Sequence, residues 1–214
     1  MNKKLIFIGL FLFSLSIGSL LIPPHFFAEE SPALSAEQRP AHWAQPLDRP
    51  GLPNLHKVSP LFYRSAQPDA GGVAELKKMG IRSVVNLRSR HSDKEIMEGS
   101  GLQYVSLPMN AWKTDEEDAV RFLKIFHDAK NTPVLLHCKH GADRTGSMTA
   151  VYRVAVCGWS KEEAVSEMTR GGFGFHSVFK NLIRFIEKLD VDSVRRKSGM
   201  PSGFSREKMQ KMCG

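Results

Sequence analysis

Two hydrophobic periods alternate along the chain, and the switching between them predicts strands interleaved with helices. Leu61 to Arg64 reads as a first strand, followed by Ser65-Ala66-Gln67-Pro68-Asp69, a stretch with the turn chemistry of proline and aspartate. Val73, Leu76 and Met79 then fall at helical spacing over Gly72 to Met79, and Gly80 stands where a helix C-cap favours glycine. Ile81 to Leu87 predicts a second strand, Asp93 to Glu98 a short helix and Leu102 to Leu107 a third strand. Pro108 opens a loop that runs to Asp118 and enters a helix carrying Val120, Leu123, Ile125 and Phe126. Val134 to His137 is an apolar run of strand length, and three helices follow: Arg144 to Val156, Lys161 to Arg170 and Val178 to Leu189. This alternation predicts an α/β domain with a central, largely parallel sheet of four to five strands flanked by helices.

The ends lack such a period. Residues 29–55, rich in Pro, Ala, Ser and Gln, read as a linker, residues 56–192 as the domain, and residues 193–214 as a basic, solvated tail. At the start, Asn2, Lys3 and Lys4 precede an apolar stretch from Leu5 to Ile22 and then Pro23-Pro24. This is the layout of an export signal over residues 1–28, cleaved after Ala28 or retained as an N-terminal membrane anchor through residues 5–22. Either outcome places the domain outside the cytoplasm, in the periplasm for a bacterial chain.

The formal net charge of +8 over 214 residues favours anionic substrates. Nucleic acid is not expected, because no basic run is interleaved with stacking aromatics. The three cysteines, Cys138, Cys157 and Cys213, are too few for a disulfide framework. Cys157 ends an apolar helical run and reads as a core residue, and an odd count leaves a free thiol.

The chemistry gathers at Pro133 to Gly146, P-V-L-L-H-C-K-H-G-A-D-R-T-G. A strand, a tight loop with a permissive glycine at Gly141 and a helix start make an anion cradle, because amides at a helix N-terminus carry a field that favours negative charge. The same field favours a thiolate at Cys138, a nucleophile. Arg144, six residues on, presents a planar fork suited to two phosphoryl oxygens. A metal site built on His137, Cys138 and His140 lacks a further ligand at suitable spacing, so neither metal nor cofactor is expected.

H-C-K-H-G-A-D-R-T-G resembles the signature loop of the cysteine-dependent protein tyrosine and dual-specificity phosphatases. F-Y-R-S-A-Q-P at Phe62 to Pro68, G-I-R-S-V-V-N-L-R at Gly80 to Arg88, G-W-S-K-E-E-A and E-M-T-R-G-G-F-G are similar to the compact bacterial exported branch of that family. The resemblance covers about His56 to Leu189. It implies a compact dual-specificity-phosphatase-like fold and hydrolysis of phosphotyrosine, with phosphoserine and phosphothreonine as further substrates, in a phosphorylated protein partner. Cys138 would attack phosphorus and form a phosphocysteine. The backbone of Lys139, His140, Gly141, Ala142 and Asp143, with Arg144, would hold the phosphate. His137 would brace the loop from behind, and Thr145 would donate to the Cys138 sulfur.

The family also uses a carboxylic acid, from the loop before the preceding helix, to protonate the leaving oxygen. Asp115 is the choice here, with Glu116 and Asp143 as alternatives. Thr114 to Glu117 also reads as a capping box, with Thr114 as N-cap and Glu117 reaching back. In the exported branch the aspartate stands earlier, near where this chain has Ala111-Trp112-Lys113. Inositol-phosphate and phosphoinositide phosphatases of the same mechanism tend to place lysine where this chain has Ala142, and the acid Asp143 weakens the local positive field. Both features favour phosphoprotein, with inositol phosphate or phosphoinositide as the alternative substrate. Trp112 and Phe173 read either as walls for an aromatic phosphoester or as core. Arg64, Gln67 and Arg88, at strand ends, either border the mouth or, for the arginines, form structural ion pairs.

Overall fold

A computed structural model describes residues 33–35, 38–200 and 212–214. The expected export segment, residues 1–28, lies outside the described residues. Six strands form one sheet in the order β1-β2-β3-β6-β4-β5. The strands are β1 (Gln45–Pro46), β2 (His56–Ser59), β3 (Phe62–Ser65), β4 (Ser83–Asn86), β5 (Gln103–Ser106) and β6 (Val134–His137). The helices are α1 (Ala70–Lys78), α2 (Lys94–Met97), α3 (Glu116–Lys124), α4 (Asp143–Ala155), α5 (Lys161–Arg170), α6 (Lys180–Lys188) and α7 (Val191–Ser198).

β3, β6, β4 and β5 are parallel, as the alternating pattern predicts, and β1 and β2 add an antiparallel edge that extends the sheet beyond the expected strands. The central strand β6 is buried along its whole length, which is why it is written as an unbroken apolar run. Its side chains alternate between two cores. Val134 and Leu136 join Val85 and the residues of α3 to α7, whereas Leu135 joins Val84 and the residues of α1. Register carries the fold to the site: His137 stands opposite Ser65 of β3 and Asn86 of β4. Three strands therefore end together, and the loops that follow them open on one edge of the sheet.

α4 is buried on nearly every side. A Cβ on Gly146 would lie 3.0 Å from Met168 Cγ, so glycine there lets α5 approach closely. Arg195 of α7 donates from Nε and Nη2 to the Ala155 and Val154 carbonyls (2.8 and 3.2 Å), capping the C-terminal end of α4 with a cation.

The described residues of both flanks read as unpatterned are built into the domain, while residues 201–211 of the expected tail lie outside the described residues. In the expected linker, Trp43, Ala44, Leu52 and Leu55 are buried, and the Ala44 amide donates to Glu167 Oε1 at 2.7 Å. Glu167 also meets Arg153 through two hydrogen bonds of 2.8 and 2.9 Å, with both side chains buried. The expected solvated tail contributes α7, which buries Val194 against α3 and α4. Cys213, whose state spacing does not reveal, is disulfide-bonded to Cys157, 56 residues earlier, so Cys157 is not a free core thiol. Closing a loop of that length contributes about 4 kcal/mol in the chain-entropy view.

Candidate active site

β6 delivers Cys138 to the floor of the loop, where it is 2 % exposed and is the free thiol of the chain. Five consecutive carbonyls of the loop are held from outside. Cys138 O accepts from His137 Nδ1 (3.2 Å), Lys139 O from the Gln67 amide (3.3 Å), and His140 O from Asn54 Nδ2 (2.9 Å). Gly141 O and Ala142 O both accept from Arg64 Nη2, at 2.6 and 3.5 Å. Across a planar trans peptide the next N–H points opposite to the carbonyl, so these contacts turn the amides of residues 139–143 inward. Among the described residues nothing accepts from the amides of residues 139–145. The chain thus presents a row of unpartnered donors at the first turn of α4.

Gly141 is required twice over. Its φ is +71°, and a Cβ there would lie 2.6 Å from the backbone of Ser65 and Ala66. Arg64 lies wholly buried behind the loop, its guanidinium 3.7 Å from the centroid of the Phe173 ring. Burial pulls its pKa down to about 10, which still leaves it cationic at neutral pH. A fixed positive charge therefore sits under the loop, and Phe173, 3 % exposed, is its platform rather than a wall of the mouth. Arg144, at the first turn of α4, donates from Nη1 to Leu87 O at 3.3 Å and closes the loop from the β4 side.

His137 is buried, with Nε2 3.1 Å from Asp93 Oδ2, an ion-pair distance although off the hydrogen-bond direction. Asp93 is in turn held by Asn86 Nδ2 (2.7 Å) and Gln67 Nε2 (3.1 Å). Thr145 Oγ1 is buried and has no hydrogen-bond partner among the described residues, so the expected donation to sulfur is not made in this conformation. Asp143 accepts from the His176 amide (2.9 Å) and meets His176 Nδ1 at 2.9 and 3.1 Å, instead of pairing with His140 or Arg144.

The acid-bearing segment has a different character. Asp115, not Thr114, is the N-cap of α3, and its box partner is Asp118, not Glu117: Asp115 Oδ1 accepts from the Asp118 amide (3.1 Å) and Asp118 Oδ2 from the Asp115 amide (3.3 Å). Thr114 instead donates to Asn110 O at 3.2 Å, which tightens the preceding turn. Glu116 faces α7, where Ser193 Oγ and Lys197 Nζ each donate to it at 2.8 Å, and the lysine hydrogen bond holds its carboxyl below the usual range. Burial pushes Asp118 up, although Arg121 is hydrogen-bonded to it. Trp112 is 59 % exposed and packs on Phe179 with ring centroids 4.7 Å apart.

Residues 52–182 match the family model described as a DSP-PTPase phosphatase fused to NAD+ kinase. The chain is 37 % identical over 180 residues to the dual specificity protein phosphatase TpbA of Pseudomonas aeruginosa, covering 84 % of this chain and 79 % of that protein. The chain belongs to the DSP-PTPase phosphatases. A crystal structure of a cysteine-to-serine variant of P. aeruginosa TpbA in complex with phosphotyrosine aligns with a TM-score of 0.68 at 35 % identity, covering 75 % of this chain and 98 % of that one. An inositol diphosphatase of Oryza sativa is 28 % identical over 160 residues, covering 71 % of this chain and 69 % of that protein.

For a phosphatase of this family, the structure gathers the sequence-predicted residues from His137 to Thr145 into one loop, and leaves Asp115 on a separate, exposed cap. It adds residues that the sequence did not single out: Asn54, Asn86, Asp93 and His176. Arg64 was expected at the mouth or in an ion pair and Gln67 at the mouth; Arg64 is instead buried behind the loop with its guanidinium on two loop carbonyls, and the Gln67 backbone amide holds a third. A buried asparagine at the end of a strand that neighbours the nucleophile strand was the available signal for Asn86. Nothing local in the sequence connects Asn54 or His176 with the loop.

Proposed function

We propose that this phosphatase is exported and hydrolyses phosphotyrosine in proteins, with phosphoserine and phosphothreonine as further substrates, through a phosphocysteine intermediate. The observation that carries the reading is the row of unpartnered amides at residues 139–145 around a free Cys138, closed by Arg144. Cys138 sulfur attacks phosphorus in line, and the bond from phosphorus to the leaving oxygen breaks as Asp115 protonates that oxygen. Water, deprotonated by the Asp115 carboxylate, then displaces sulfur from phosphorus, giving inorganic phosphate and restoring the thiolate. The amides and Arg144 act on charge at the equatorial oxygens, and because the loop is already formed they need little reorganisation.

Phosphotyrosine is favoured by the exposed Trp112 ring, and the P. aeruginosa relative crystallised with phosphotyrosine supports it. Export to the periplasm is supported by the apolar Leu5 to Ile22 stretch and by the Cys157–Cys213 disulfide, a bond that persists in oxidising compartments. Among the described residues no helix is long and apolar enough to cross a membrane, so a tether would rest on residues 5–22.

Phosphate release from a phosphotyrosine peptide, a phosphoserine peptide and an inositol polyphosphate tests the reading. Phosphotyrosine is expected to be fastest, and Cys138→Ser to lose roughly four orders of magnitude or more. Equal, slow release by wild type and Cys138→Ser would sink it. Faster release from the inositol polyphosphate would move the substrate class to that of the rice relative.

A further inference from the structure

We infer that His140, Asp143 and His176 form a binding site for a zinc-class divalent cation at the rim of the phosphate loop, through which the metal inhibits turnover. Each residue offers one ligand atom, and the three atoms lie within 4.8 Å of one another. Sequence spacing hid this set, because His176 comes from the segment between α5 and α6 and reaches the loop only in the fold. The site is partly built before any ion arrives. Asp143 is fixed at the start of α4, and the His176 backbone amide donates to its Oδ1 at 2.9 Å, orienting the carboxylate. His176 Nδ1 already stands 2.9 Å from Oδ2, close to the separation of two ligand atoms on one small ion.

Asn54 anchors the His140 backbone carbonyl, which fixes where that side chain leaves the loop, and the His140 and His176 rings are 5.5 Å apart between centroids, so a small side-chain rotation closes the set. The His176 side chain is 49 % exposed and that of Asp143 10 %, which leaves an entry path from solvent and a buried anionic floor.

Ligand type narrows the cation. Two imidazoles and one carboxylate suit zinc, nickel, cobalt or copper, whereas magnesium and calcium favour all-oxygen sets. Three protein ligands leave an open position. His140 and Asp143 belong to the loop that is to hold the phosphate, so an ion on them stands at the mouth and restricts entry and release. The inhibitory half of the inference rests on the phosphatase reading above; the binding half does not.

The test separates the two halves. Zinc is titrated calorimetrically into chelator-treated Cys138→Ser protein, in which the thiolate that would itself bind zinc is absent, and into Cys138→Ser/His176→Gln. One equivalent is expected to bind the first, and affinity is expected to fall by about tenfold or more in the second. Cobalt in place of zinc should give a visible absorption band in the first and lose it in the second. In parallel, zinc should inhibit phosphate release by wild type and chelator should reverse it, with the midpoint for His176→Gln displaced upward by about tenfold or more. No zinc binding to Cys138→Ser would assign any inhibition to the thiolate and overturn the site. Equal binding by the two variants, with thermal melts showing both folded, would overturn it as well. A chain inactive on every phosphoester would remove the phosphatase reading while the calorimetry still decides the cation site.

Discussion

Residues 138–142 turn their carbonyls outward onto partners from residues 54, 64, 67 and 137, whereas residues 110–118 bond largely among themselves. The first segment is fixed by the rest of the molecule, and its free donors are backbone amides. The second is an exposed turn, closed on Asn110, and a helix cap in which Asp115 and Asp118 bond to each other's amides and Glu116 is held by α7. Holding a phosphate needs many donors at fixed positions, and backbone tied from behind supplies them without side-chain entropy. Delivering a proton needs one group that can approach and retreat, and an exposed cap suits that. The contrast is between a site that is formed in advance and one that is brought to the substrate.

Breaking the first side should cost most. Arg144→Lys keeps the charge and removes the planar fork, so activity should fall by about 10²–10³-fold on every phosphoester, measured as kcat/KM. A loss confined to one substrate class would contradict a general role at the phosphate. Asp115→Asn sharpens the other side: about a hundredfold loss is expected on phosphotyrosine peptide, and little on an activated aryl phosphate whose leaving oxygen needs no proton. Equal losses on both would move the acid role to another residue.

Arg64→Met asks whether the loop is held from behind. Its removal leaves the buried Gly141 carbonyl without its donor, at a cost of about 1–3 kcal/mol in stability by denaturant titration, with weaker vanadate binding and an unchanged ratio between activated and poor leaving groups. A shift in that ratio would contradict the separation of roles.

The smallest effect at neutral pH belongs to His56, whose ring meets the Phe173 ring edge-on at 4.7 Å, under Arg64. Burial holds its pKa at about 4 in the folded protein. The unfolded chain protonates near 6.5 and so binds the proton first. Stability is therefore intact above about pH 6.5 and drains away as pH falls towards 4. His56→Gln should flatten that part of the stability profile; an unchanged slope would place the titrating group elsewhere.

The contrast also explains what the sequence disclosed. The parallel core, the helices from α1 to α6 and the Cys138–Arg144 loop were legible because each rests on a local pattern: an apolar period, a glycine, or a nucleophile and cation at fixed spacing. β1, β2 and α7 were not, because the short Trp43-Ala44 pair before β1, Val58 in β2 and Val194 in α7 make no sustained apolar period and are buried through distant partners. The Cys157–Cys213 bond and the Asp143–His176 pair likewise join residues that no spacing connects. In the acid segment the pattern was legible but shifted. Thr114 and Asp115 both have N-cap chemistry, and the structure gives the cap to Asp115, the residue also assigned the proton.

The central claim is that the loop is a preformed phosphate cradle with Cys138 as its nucleophile, and trapping the intermediate tests it most directly. Wild-type protein is mixed with phosphotyrosine peptide, quenched in acid within the first turnover and read by intact and peptide-level mass spectrometry. One added phosphoryl group on the Cys138 peptide, absent from Cys138→Ser, is the predicted result. Turnover without that adduct, undiminished in Cys138→Ser, would contradict the account.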